Sequence, residues 1–111
     1  MTSESSGALN IACARLVPEL LVVDIRKSLR FGRDLCSFAM AFDRLDEGFA
    51  YLDLGGAQIM LEECGRNQNW VTGTLEIPLG RGVNFQITVP AIEPILAALA
   101  RAEWPCAMPE A

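Results

Sequence analysis

Two spacings of apolar residues take turns along the chain, a period of two and a period near 3.6, and their order sets the predicted architecture. Leu16 to Val23 is a short apolar run of the β type. Pro18 inside it has no amide proton for a neighbouring strand, so this strand is predicted to lie at an edge or to begin irregularly. Asp24 is a good helix N-cap. Ile25 to Cys36 is predicted helical, with Ile25, Leu29 and Cys36 on one face beside Ser28, Gly32 and Leu35. Gly32 inside that helix costs about 1 kcal/mol relative to Ala.

Three short strands are predicted next. They are Phe38 to Phe42, Phe49 to Leu54 after the polar turn Asp43 to Gly48, and Ala57 to Glu63 after the hairpin signal Gly55-Gly56. The third alternates strictly, with Ala57, Ile59 and Leu61 on one face and Gln58, Met60 and Glu62 on the other. Residues 65–82 form a long connection that holds Trp70 and Pro78, and loops of that length often cover a site. Val83 to Val89 alternates again, Phe85, Ile87 and Val89 against Asn84, Gln86 and Thr88. Pro90 then opens a helix with the stripe Ile92, Ile95, Leu96, Leu99 and Ala100, and Pro105 stops it.

The last strand-helix pair repeats the first. Laying Leu16 on Val83 sets Glu19 on Gln86, Val22 on Val89 and Ile25 on Ile92. The order predicts an α+β fold, a βαβββ module over 15–64 followed by a partial βα module over 83–104. Residues 1–14 are Ser-rich and polar and are expected to be a flexible tail, with 15–111 as a single domain.

Composition narrows the chemistry. Of 111 residues, 51% are apolar, which is globular, and the length suits one domain. The net charge of -5 disfavours nucleic acid and anionic membrane surfaces and would attract a cation. Histidine is absent, which removes the commonest neutral-pH base, the commonest transition-metal ligand and every Ser-His or Cys-His arrangement. Cys13, Cys36, Cys64 and Cys106 are too widely and irregularly spaced for a zinc site or a disulfide framework. With no signal-like start and no long apolar run, the chain is expected to be cytoplasmic, its thiols reduced and mostly buried.

The chain resembles the glyoxalase, bleomycin-resistance and extradiol dioxygenase superfamily, the vicinal oxygen chelate proteins, and most closely the bleomycin-resistance branch. The resemblance is carried by Val17-Pro18-Glu19-Leu20-Leu21-Val22-Val23-Asp24-Ile25, Ser28-Leu29-Arg30-Phe31, Arg33-Asp34-Leu35, the stretches 48–54, 56–63 and 70–73, and Gly80-Arg81-Gly82-Val83-Asn84-Phe85-Gln86-Ile87. It covers residues 16 to 105. It implies a mixed curved sheet forming a cup, helices on the outer face, and two modules closing a cavity between them. Two positions depart from the branch, which usually has an aromatic where Gly32 stands and Gly where Ser37 stands. Gly there supplies a left-handed helix cap that Ser adopts only at a cost. The family also continues for three strands beyond Trp104-Pro105, so either truncation or an unusual oligomer is expected.

The superfamily's metal-ligand positions fall on Val17, Met60 and Asn84. Val has no donor atom, Met is a soft ligand and Asn seldom anchors a divalent metal alone, so no metal and no other cofactor is expected. The same register turns Glu19, Gln58, Met60, Glu62, Asn84 and Gln86 into the cup. Glu19 and Glu62 either meet a ligand cation there or face water and pair with Arg15, Arg44 or Arg81. Trp70 and Tyr51 either stack on a planar ligand or plug an interface, whereas Phe49 and Phe85 are expected to be plugs. The ligand-binding set is thus Glu19, Tyr51, Met60, Glu62, Trp70, Asn84 and Gln86, with no catalytic residue. Adjacent Glu62 and Glu63 point to opposite faces of a strand and cannot share one site.

The function this implies is sequestration of a planar or cationic small molecule, without turnover, by a homo-oligomer. A glyoxalase-like lyase or isomerase is the alternative, and a truncated cassette product without a present ligand is the third.

Overall fold

The computed structural model describes residues 12–65 and 70–104. Expectations for 1–11, for 66–69 and for 105–111, including the helix stop at Pro105 and the burial of Cys106, lie outside the described residues. The fold is α+β. A four-stranded mixed sheet carries β1 (Glu19–Val22), β2 (Ala39–Arg44), β3 (Phe49–Leu54) and β4 (Ala57–Glu63) in the order β1-β4-β3-β2, and α1 (Ile25–Leu29) and α2 (Glu93–Arg101) complete it.

Each join has a local cause. Pro18 leaves β1 short and at the edge, yet its carbonyl still accepts from the Met60 amide at 2.8 Å. Asp24 caps α1, its Oδ1 accepting from the Arg26 and Lys27 amides at 3.0 and 3.2 Å. The Ile25 amide donates to Glu63 Oε2 at 3.0 Å, so a second carboxylate satisfies the helix start. Gly55 and Gly56, both at positive φ, turn β3 into β4, which pair antiparallel from Leu54↔Ala57 to Phe49↔Glu62. β1 joins β4 in parallel, Glu19↔Met60 through Val22↔Glu63.

The expected single helix from Ile25 to Cys36 is two pieces, α1 and then a π-helical turn, Arg30–Leu35. The widened turn closes with the Cys36 amide on the Phe31 carbonyl at 3.0 Å, and the Phe38 amide then reaches the Gly32 carbonyl at 3.0 Å. Between them Ser37 sits at φ 72°, the left-handed conformation for which glycine is suited. β2 accordingly begins one residue later than expected, at Ala39.

Apolar residues of β1, β3 and β4 on one face pack against α1. Leu52 and Ala50 are completely buried there, with Ile25, Leu29, Phe38 and Leu61 around them. A smaller cluster of Ala41, Phe42 and Tyr51, with Val17, Phe49 and Met60 against it, occupies the other face. The strand expected over Val83–Val89 does not form: among the described residues this segment carries no ladder. A strand needs a neighbour for its amides and carbonyls, and the described part of the second module provides none. α2 does form, with Pro94 in its first turn, but none of its residues is buried.

Candidate functional site

The face away from α1 carries the polar residues. Alternation along β4 places Gln58, Met60 and Glu62 on it, and pairing with β1 and β3 sets Glu19 and Tyr51 beside Met60. Glu63 turns the other way, to the start of α1. Four of the seven predicted residues, Glu19, Tyr51, Met60 and Glu62, are thus brought together. Trp70, Asn84 and Gln86 are exposed on the segment beyond 65, and Gln86 borders a cavity on the opposite face of the sheet.

Glu19 and Glu62 interact directly. Burial raises the Glu19 carboxyl above its ordinary value of 4.5, and the charge of Glu62 and a hydrogen bond with it raise it further. Among the described residues Glu62 Oε1 is enclosed with no hydrogen-bond partner of its own. Two of the three candidate arginines are engaged elsewhere. Arg81 lies 3.8 Å from Glu76 and donates to the Pro78 and Ile77 carbonyls, and the Arg44 guanidinium lies 6.0 Å from the centre of the Phe42 ring. Two neighbouring carboxyls, one raised by the other and one oxygen unmatched, make a face that gains from a cation.

Tyr51 belongs to the packing. It is buried and stacked on Phe42 at 5.5 Å, and Phe42 meets Phe49 at 5.7 Å. Its hydroxyl donates to Gln58 Oε1 at 2.6 Å. Burial, then a hydrogen bond with Cys13 and the charges of Cys13 and Asp53, push its pKa from 10.0 to about 12, so the phenol stays neutral and is no base. Gln58 is the hub that the predicted set omits. It is buried, accepts from Ala14 N at 2.8 Å, and donates to the Ala12 carbonyl and to Asp53 Oδ1, each at 2.8 Å. Both donors and both acceptor positions of the amide are used. Residues 12–14 of the expected tail are therefore held against the sheet. Cys13 is exposed, unlike the half-buried Cys36 and Cys64, and burial raises the Cys36 thiol, which disfavours a reactive thiolate.

The superfamily's metal does not fit this face. Val17 and Met60 pack against the Ala41–Phe42–Tyr51 cluster, Asn84 stands exposed on the later segment, and among the described residues no three His, Cys, Asp or Glu side chains gather to hold an ion. No helix among the described residues is long and apolar enough to cross a membrane.

No protein-family model matches the chain, and no curated protein matches it. Among solved structures, the chain is similar to a glyoxalase/bleomycin resistance protein/dioxygenase superfamily member from Vibrio splendidus 12B01. The two are 39% identical, the match covers 76% of this chain and 64% of that one, and the TM-score is 0.41. It is also similar to an integron cassette protein from the mobile metagenome of Halifax Harbour Sewage Outfall, at 17% identity, with 82% of this chain and 70% of that one covered and a TM-score of 0.48. The chain thus spans less than two thirds of the Vibrio protein's length.

Proposed function

We propose that this chain is a bleomycin-resistance-type member of the glyoxalase superfamily, and that it binds a cationic small molecule on the Glu19–Glu62 face without turning it over. The observation that carries the proposal is the enclosed, unmatched oxygen of Glu62 beside a carboxyl whose pKa is raised. A cation there would satisfy the orphaned oxygen and favour the ionised form of Glu19. The βαβββ order and the β1-β4-β3-β2 sheet support the family. The exposed apolar side chains of the later segment support a homodimer, in which a second copy covers them. A cytoplasmic location fits the free cysteines.

The test uses two cationic probes, ethidium and metal-free bleomycin, in fluorescence and calorimetric titrations. Glu62→Gln is expected to weaken binding about ten- to a hundredfold, the loss of a partly desolvated charge pair. Glu63→Gln, whose amide oxygen still accepts from Ile25, is expected to change it little. Equal effects of the two substitutions, or no binding of either cation, would overturn the proposal. One observation favours a second reading: a carboxyl whose pKa is raised stands beside a second carboxyl, which is an arrangement for acid-base chemistry in a lyase or isomerase. Mass spectrometry of ligand recovered after incubation separates the two, because only an enzyme returns it altered.

A further inference from the structure

On the face of the sheet that carries α1, the described residues line a cavity of about 750 Å³. Leu20, Ile59 and Leu61 line it from the sheet, Phe31 from the π turn, and Phe85 and Ile87 from the unpaired segment. Phe31 in turn packs on Trp104, their ring centres 5.3 Å apart. The volume is that of a small-molecule site, and its lining is mostly apolar.

The cavity has a cause in the sequence. Gly32 lines it, and a Cβ built there would meet Leu52 Cδ1 at 3.4 Å, ordinary contact. The position therefore tolerates a side chain but has none. The lining has one charged residue, Lys27, which is exposed and in no ion pair among the described residues. Ser28, Gln58 and Gln86 add a hydroxyl and two amides.

We propose that this cavity binds an amphipathic carboxylate, its apolar chain along Leu20, Ile59 and Phe85 and its anionic head at Lys27. Gln58 borders both sites, but neither Glu19 nor Glu62 lines this cavity and the ligand charge is opposite, so either proposal can fail alone.

Calorimetry of the full chain with decanoate, and with 1-decanol as its uncharged counterpart, tests the proposal. Both are expected to bind. Lys27→Glu is expected to weaken decanoate about tenfold, attraction having become repulsion, while decanol affinity stays within about twofold. Gly32→Leu, which fills the cavity, is expected to abolish both, with circular dichroism reporting whether it folds. Should Gly32→Leu not fold, Lys27→Glu decides, because an exposed residue leaves the fold intact. Absence of decanoate binding, equal decanoate affinity in Lys27→Glu, or binding retained by folded Gly32→Leu would each overturn the proposal. So would binding that fades as protein concentration rises, which would make the cavity a contact between copies. Ethidium binding is followed in the same variants and is expected not to move.

Discussion

The two halves of the chain carry the same pattern and end in different states. Residues 19–63 and 83–101 both run from an alternating apolar segment into an amphipathic helix. In the first half every strand has a neighbour, α1 covers the sheet, and all nine buried apolar side chains among the described residues lie between Ile25 and Leu61. In the second, Val83–Val89 has no ladder, no residue of α2 is buried, and Val83, Phe85, Ile87, Ile92 and Leu96 are exposed. An alternating run is thus a capacity to pair. It becomes a strand only when another backbone meets its amides and carbonyls, and the burial that stabilises it comes from the layer behind.

The largest expected effect tests that asymmetry directly. Leu52→Ala removes a completely buried side chain from the centre of the first half and is expected to cost about 2–5 kcal/mol. Phe85→Ala removes a larger side chain that is already 47% exposed, and is expected to cost well under about 1 kcal/mol. Urea denaturation followed by circular dichroism measures both. Comparable losses would mean that the second half is packed in solution, against a second copy or against its own sheet.

Sequence legibility follows the same division. β3 and β4 have the bounds their alternation predicts, and Asp24 caps α1, because these features depend on near neighbours in the chain. The edge position of β1 follows from one missing amide at Pro18. The π turn was not legible: a period of 3.6 fits Ile25 to Leu29 and then fails, as the chain widens to set Ser37 in a left-handed cap and start β2. In the candidate site, alternation alone puts Glu62 and Glu63 on opposite faces, and the Ile25 amide on Glu63 agrees with it. The Gln58 hub was hidden because its partners Ala12 and Ala14 are brought in by tertiary structure. The direct contact of Glu19 with Glu62 needed the parallel register of β1 on β4.

A smaller effect sharpens the contrast through pH. The folded state raises Glu19 above 4.5, so it holds that proton more tightly than the unfolded chain does. The favourable contribution is complete below 4.5, fades as pH rises through the raised folded value, and is lost above it. Glu62→Gln removes one cause, the neighbouring charge, and leaves the burial. Its melting temperature relative to the parent is therefore expected to rise between about pH 4 and about pH 7, by less than Leu52→Ala lowers it. A parallel pair of pH curves would mean that the two carboxyls do not interact.

The smallest effect asks whether the halves are one cooperative unit. Ser37 adopts φ 72°, where a Cβ crowds its own backbone, and Ser37→Gly removes that strain. Glycine loses more backbone freedom on folding, which offsets part of the gain, so the net stabilisation is expected to be about 0.5–1 kcal/mol. Native-state hydrogen exchange then reports where it is felt. Amides of Leu52 and Leu61 open only when the first half unfolds, and their exchange is expected to slow by the full stabilisation, roughly two- to fivefold. α2 packs on the π turn through Phe31 and Trp104 but buries nothing, so it is expected to open locally and keep its rate. If α2 amides slow as much as those of Leu52, the π turn couples the halves into one unit, and the division drawn from burial is wrong.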